Sequence, residues 1–220
     1  MNNVRQLGLA IQMYAQDNRD YLPWINWGDN PLAGAPPGWL YSQSPLPHSY
    51  TLAVYNLNPE NFEKACLNSI KGGLLYQYAP NVLTFRCPLD PPGPSNPHAA
   101  EWAQRGEQLS SYIMNGWAGF LPPETTGGAS KYNYKTAKIT QIWNMEAYVM
   151  WETDPSNPGL FNDGANDPSK PGEGLGRAHI IGGLVLEVGG VAKWIKYDDF
   201  HNLVTAPAGT RNLALWQIKP

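Results

Sequence analysis

The sequence predicts an α+β fold in which an N-terminal helix packs on an antiparallel β-sheet and long loops are inserted between the regular elements. Apolar residues recur every three or four positions between residues 2 and 16, and they alternate on both sides of a Gly-Gly pair at residues 189 and 190. The 22 glycines and 21 prolines are typical of a loop-rich chain. Because 220 residues with 42% hydrophobic content can bury a sizeable core, we expect one domain over residues 1–220.

The first predicted element is an amphipathic helix over residues 2–16. Val4, Leu7, Ile11 and Tyr14 share one face at spacings of three and four, so this face requires a partner surface. No capping residue precedes the helix, and Pro23 forbids its continuation. The end of the helix is therefore well defined and its start is not.

Residues 24–59 form a Trp- and Pro-rich insertion with almost no periodicity. Its aromatic content argues against disorder. Trp24, Trp27 and Trp39 either pin this loop to the body of the protein or form a flat platform for sugar rings. We favour the first interpretation. The second makes an exported carbohydrate-binding module the alternative function.

A short helix is predicted from Pro59 to Lys71 and a strand over residues 82–87. The two cysteines, Cys66 and Cys87, lie in this part of the chain and belong to no CxxC pair. A disulfide between them would stabilise the fold by roughly 3 kcal/mol through restriction of the unfolded chain. The alternative is two buried free thiols, and we favour the disulfide.

The C-terminal region, residues 138–220, is expected to supply most of the sheet. Its clearest pattern is the hairpin over residues 184–196, where Gly189 and Gly190 suit a two-residue turn and Leu184, Leu186 and Val188 share one face. Strands are also predicted at residues 110–117, at 147–151 and near the C-terminus in LALWQI, whereas residues 198–207 are expected to be irregular.

Composition and motifs exclude several classes of function. A net charge of −3 with scattered Lys and Arg gives no footprint for nucleic acid. The 220 residues contain no apolar run of about 18 residues and no export signal. The usual motifs of hydrolases, zinc proteases and nucleotide-binding proteins are missing, so we expect no enzyme and no organic cofactor.

Two weaker chemical hypotheses remain. The polar segment from residue 155 to 176 and its flank carry oxygen ligands of the kind that calcium prefers, although without EF-hand spacing: Asp154, Asp163, Asp167 and Glu173. A solvated loop is the simpler interpretation of these acids. A hydrolase site built from Glu152, Asp154 and His179 is the lowest-ranked hypothesis, because no nucleophile or paired-acid spacing supports it.

Four motifs resemble the type II secretion pseudopilin-like proteins, the family with prepilin-type N-terminal cleavage and methylation. The motifs are NNVRQLGLAIQMYAQDNRDYLP at 2–23, GGLLYQYAPNVLTFRCPLDP at 72–91, SSYIMNGW at 110–117 and RAHIIGGLVLEVGGVAKWI at 177–195. The last motif matches the family's His-x9-Asp-Gly pattern through His179 and Gly190, with Gly189 in place of the aspartate. Glu187, where the family has a bulky apolar residue, is a second departure and predicts a wetter face of the hairpin.

The resemblance implies a pilin-like head that serves as a structural subunit of a type II secretion pseudopilus or a related type IV pilin-like filament. It further implies an apolar half-helix before the helix at 2–16, which anchors the subunit in the inner membrane and places the head in the periplasm or outside the cell. Its partners would be other pseudopilin subunits and the secretion machinery. Val4, Leu7, Ile11 and Tyr14 would then be shared between the chain's own sheet and neighbouring subunits.

Overall fold

The computed structural model describes residues 1–27, 36–42, 56, 58–119, 136–142, 144–170 and 172–205. The predicted C-terminal strand in LALWQI and much of the insertion at 24–59 lie outside the described residues. Within them the α+β prediction is confirmed: an N-terminal helix accompanies a five-stranded sheet. None of the described helices is long and apolar enough to cross a bilayer.

The sheet is mixed rather than purely antiparallel. Its strand order is β3-β1-β2-β4-β5, and among these strands only the β1–β3 pair is parallel. The long connection from β2 to β3 carries the chain past β1, so that the short β3 runs in the same direction as β1. The strands are β1 (Tyr112–Asn115), β2 (Tyr148–Glu152), β3 (Ala165–Asn166), β4 (Gly182–Glu187) and β5 (Ala192–Lys196).

In the part of the chain that the structure describes, four α-helices and several short 3-10 turns accompany the sheet. The helices are α1 (Asn2–Asp17), α2 (Pro59–Lys71), α3 (Ala99–Trp102) and α4 (Tyr197–Val204). The helix predictions for α1 and α2 are confirmed. The predicted strand at 82–87 is wrong: residues Val82–Phe85 form a 3-10 turn, which Asn81 caps by accepting a hydrogen bond from the backbone N–H of Leu83 at 3.0 Å.

Helix α1 packs on the β4–β5 hairpin. Its apolar stripe is buried, and Gln12 Nε2 donates to the Val188 carbonyl at 2.5 Å. The approach is close because a Cβ at Gly8 would lie 2.7 Å from Leu186 Cδ1. Of the four residues predicted to be shared with neighbouring subunits, Val4, Leu7 and Ile11 are buried in the core of the head, and Tyr14 is half-buried against it.

Helix α4 covers the opposite face of the sheet, where the sequence predicted irregular structure. Phe200 is fully buried and stacks on Tyr148 with ring centroids 6.0 Å apart. It also meets the edge of Trp151 at 5.3 Å. Leu203 and Val204 of α4 also pack against this cluster. The prediction missed α4 because the helix is short and its exposed residues are polar.

The predicted hairpin is present, with a longer turn than expected. Leu184, Leu186 and Val188 face the α1 side, while Val185 packs with the aromatic residues under α4, so the predicted alternation is confirmed. Gly190 N–H donates to the Glu187 carbonyl at 2.9 Å, and only Gly190 of the two glycines has positive φ. This is a three-residue loop ending in a left-handed glycine.

Glu187 does not make the hairpin wetter. Its side chain is buried and forms an ion pair with Lys193, whose ammonium group also lies over the Tyr148 ring at 5.1 Å. The carboxylate that replaces the family's apolar residue is therefore accommodated by a partner on the adjacent strand.

Candidate functional site

Three side chains with metal-ligating or catalytic chemistry converge at one end of the sheet. His179 Nε2 lies 3.0 Å and 3.2 Å from the two carboxylate oxygens of Glu152, and 3.8 Å from Cys87 Sγ. Among the described residues this is the one group of three His, Cys, Asp or Glu ligands whose atoms lie within 4.8 Å of one another. We call these three residues the Cys-Glu-His cluster.

The backbone fixes two members of the cluster. Glu152 is the last residue of β2, and its Oε2 accepts the backbone N–H of Leu184 on β4 at 2.7 Å. Cys87 follows the 3-10 turn at 82–85, and its own N–H donates to Ser111 Oγ at 2.9 Å. Because both anchors belong to sheet-bound segments, the carboxylate and the thiol are held in place without the histidine.

A strained turn places the histidine. His179 N–H donates to the Gly182 carbonyl at 2.9 Å, and Ile180 N–H donates to the Arg177 carbonyl at 3.0 Å. Ile180 has a φ of 70°, a conformation that a β-branched residue adopts at a cost of about 1–3 kcal/mol. Strain of this kind concentrates at functional sites, and here it lies directly beside His179.

The Cys87 thiol is not activated as a nucleophile. Burial raises the pKa of this thiol to about 12, and the charge of the neighbouring Glu152 carboxylate adds to the shift. A nucleophilic cysteine requires the opposite, a pKa lowered by a nearby positive charge or helix N-terminus. Despite the adjacent histidine, the raised pKa of the thiol disfavours covalent catalysis by Cys87.

An open cavity of about 290 Å³ adjoins the cluster. The first turn of α1, Leu89, Tyr112 and the three cluster side chains contribute to its wall. The His179 side chain is 28% exposed, whereas that of Glu152 is 1% exposed. The cluster thus has a closed side against β4 and an open side toward the cavity.

A buried ion pair between Arg105 and Asp90 lies near the Cys-Glu-His cluster. Arg105 donates to both carboxylate oxygens of Asp90, at 2.8 Å and 2.9 Å, and its guanidinium lies 3.8 Å above the Phe161 ring. Ser111 Oγ donates to Asp90 at 2.8 Å. Since Ser111 also accepts the Cys87 N–H, one hydroxyl connects the ion pair to the Cys-Glu-His cluster.

The predicted disulfide is wrong, and the alternative of two buried free thiols is confirmed. Cys66 lies on the inner face of α2 with Phe62 and Ile70, all fully buried. Cys87 instead turns toward Glu152 and His179. The two sulfur atoms lie in different surroundings, so no disulfide closes the loop between them.

The predicted calcium ligands do not come together. No three of these four carboxylates converge among the described residues. Asp154, Asp163 and Asp167 each accept a backbone N–H two residues further along the chain. Glu173 accepts the N–H of Asp167. The acids therefore shape their own loop, because short polar side chains satisfy nearby backbone donors.

The tryptophan platform is not formed either. Trp39 is fully buried and its Nε1 donates to the Gly164 carbonyl at 2.9 Å, and Trp24 is 7% exposed. Trp27 packs beside Gly116, with Lys170 over its ring at 5.5 Å. These residues pin the insertion to the body, which is the interpretation that the sequence favoured.

The sequence singled out two of the cluster residues for other reasons. Glu152 and His179 do meet, as the hydrolase hypothesis required, but Asp154 bonds to Ser156 instead of joining them. The contribution of Cys87 was missed, because 92 positions separate it from His179. The hydrolase hypothesis and the motif match at His179 were the sequence features that pointed to this place.

Comparison with protein families, with curated proteins and with solved structures finds no match to this chain. The function of the chain therefore has to be inferred from its own motifs and from the geometry of the described residues.

Proposed function

We propose that this chain is the head of a pilin-like filament subunit, belonging to a type II secretion pseudopilus or a related type IV pilin-like assembly. The observation that carries the proposal is the outward face of α1. Leu9 is 62% exposed and Met13 is 42% exposed, and they lie one helical turn apart on the face that does not contact the sheet. This exposed apolar pair lies among polar residues of α1, and it suits a contact with a neighbouring copy.

The four sequence motifs that resemble pseudopilins lend the second support. Their first motif becomes α1, their third becomes β1, and their fourth becomes the β4–β5 hairpin on which α1 rests. The proposal places the head in the cell envelope, on the periplasmic or outer side. In the same proposal, an apolar helical segment outside this chain attaches the head to the inner membrane. Its partners are other pseudopilin subunits and the secretion machinery, and its role is structural.

The test is assembly in cells that produce the protein from its native gene. Leu9→Asp combined with Met13→Asp introduces charges that a subunit interface would have to bury, so we expect at least about tenfold less cross-linked multimer in the cell-envelope fraction. Met145→Asp is the matched control, since Met145 is 45% exposed and precedes β2 rather than lying on α1. Its yield should stay within about twofold of the unmodified protein.

Two results would refute the proposal. The unmodified protein should form cross-linked multimers in the cell envelope, and the absence of such multimers would exclude the proposed assembly. Equal recovery of the α1 variant and the Met145→Asp control would show that the outward face of α1 makes no subunit contact. Circular dichroism of each purified variant checks that the head remains folded.

A further inference from the structure

We propose that Cys87, Glu152 and His179 bind a divalent transition-metal ion of the zinc class. Thiolate, imidazole and carboxylate are the protein ligands of zinc. Ligand atoms at zinc bond lengths of about 2.0–2.3 Å and tetrahedral angles lie roughly 3.3–3.6 Å apart. His179 Nε2 lies 3.0 and 3.2 Å from the Glu152 oxygens and 3.8 Å from the Cys87 sulfur. The three ligand atoms all lie within 4.8 Å of one another, so side-chain adjustments can bring them to these values.

The charges of the ligands match a divalent ion. A Cys87 thiolate and a Glu152 carboxylate supply two negative charges, and a neutral His179 imidazole supplies none. The complex with a divalent cation therefore has no net charge, which matters because Cys87 is 4% exposed and Glu152 is fully buried. Binding releases the thiol proton to solvent.

The surroundings orient the ligands before the ion arrives. The Leu184 N–H holds one oxygen of Glu152, and Ser111 Oγ fixes the backbone of Cys87. Hydrogen bonds of this type outside the ligand set raise metal affinity because they lower the cost of organising the site. Among the described residues, His179 is the only ion-pair partner of Glu152, so a metal ion would not have to displace a lysine or an arginine.

The fourth position faces the cavity of about 290 Å³. Three protein ligands with one open position are typical of zinc sites that exchange a water molecule or bind a small ligand. The proposed site is thus an exchangeable one. Its three protein ligands all belong to the head, so metal binding can be tested separately from filament assembly.

The experiment titrates the reduced, metal-free chain with Co²⁺ and then with Zn²⁺. We expect one Co²⁺ per chain, with a thiolate-to-cobalt charge-transfer absorption that one equivalent of Zn²⁺ removes. Cys87→Ser should abolish this absorption, whereas Cys66→Ser should retain it. Glu152→Gln preserves the acceptor for Leu184 but removes the charge, and we expect it to weaken Zn²⁺ binding by more than about 100-fold.

His179→Ala should weaken Zn²⁺ binding to a similar extent, and His98→Ala is its matched control with an expected change below about threefold. Near-ultraviolet circular dichroism confirms that each variant is folded, and Glu152→Gln and His179→Ala keep the test decisive if a cysteine variant does not fold. No saturable binding at one equivalent would overturn the proposal. So would a charge-transfer absorption that persists in Cys87→Ser, or Zn²⁺ affinity unchanged in both Glu152→Gln and His179→Ala.

Discussion

Replacing Asp90 by asparagine is expected to lower the free energy of unfolding by about 3 kcal/mol. The side chains of Arg105 and Asp90 are 1% and 8% exposed, so the substitution leaves a buried guanidinium opposite a neutral amide. Removing one partner of a buried ion pair costs about 3–5 kcal/mol. We expect the lower end because Arg105 Nη2 keeps the Pro155 carbonyl as an acceptor at 3.2 Å.

Urea unfolding at pH 7 measures this loss. Asp198→Asn is the control, because the Arg177–Asp198 pair has side chains that are 57% and 80% exposed, and such pairs contribute about 0–1 kcal/mol. If Asp90→Asn loses less than about 1 kcal/mol, the buried pair does not stabilise the region below the cluster and the reasoning fails.

The same substitution should lose its effect in acid. Burial alone would raise the pKa of the Asp90 carboxyl, but the hydrogen bonds and charge of Arg105 outweigh it, and the pKa is lowered. The contribution of Asp90 is then fully present above the unfolded pKa of about 3.9 and is lost as the pH falls through the folded pKa. The difference in the free energy of unfolding between the unmodified protein and Asp90→Asn should become smaller below about pH 4.

Two further predictions concern stability. Gly8→Ala gains about 1 kcal/mol of helix propensity. It also forces a Cβ against buried Leu186, which costs about 1–3 kcal/mol. We therefore expect urea unfolding to show a net loss of about 1 kcal/mol in the free energy of unfolding, and a gain would contradict the close packing of α1. Burial raises the pKa of Glu107 to about 8. The contribution of Glu107 to the free energy of unfolding is therefore fully present below about pH 4.3 and is lost as the pH rises through 8. The free energy of unfolding of Glu107→Gln should depend less steeply on pH between pH 5 and 8 than that of the unmodified protein, and equal slopes would contradict this.

Local patterns predicted the elements that bury one clear face. Each of these elements repeats its period over several residues, so the pattern does not depend on any single residue. The examples are the apolar stripe of α1, the spacing of Phe62, Cys66 and Ile70 on α2, and the alternation in β4. The prediction was wrong at residues 82–85 because four residues are too few to distinguish an alternating strand from a 3-10 turn. The Asn81 side chain caps this segment and favours the turn.

The candidate site was beyond local patterns. Glu152 and His179 are 27 positions apart, and the pairing of β2 with β4 brings them together. Cys87 is more distant still, and Ser111, which precedes β1, holds its backbone beside them. Cysteine spacing favoured a disulfide because the sequence does not record which way each sulfur faces. Trp39 likewise packs against Gly164, and Trp24 packs beside Gly119, so the burial of both rings involves residues that lie far along the chain.

The packing of α1 on the β4–β5 hairpin has a consequence for biosynthesis. Gln12 and Val188, which bond in the finished fold, are 176 positions apart. At a synthesis rate of about 5–20 residues per second, the hairpin that covers part of the apolar stripe of α1 is completed roughly 10–35 seconds after the helix is made. Contacts this distant in sequence also form slowly once the chain is complete. Among the described helices, α1 is thus the first to be synthesised and one of the last to dock, and a newly made chain needs this surface covered in the interval.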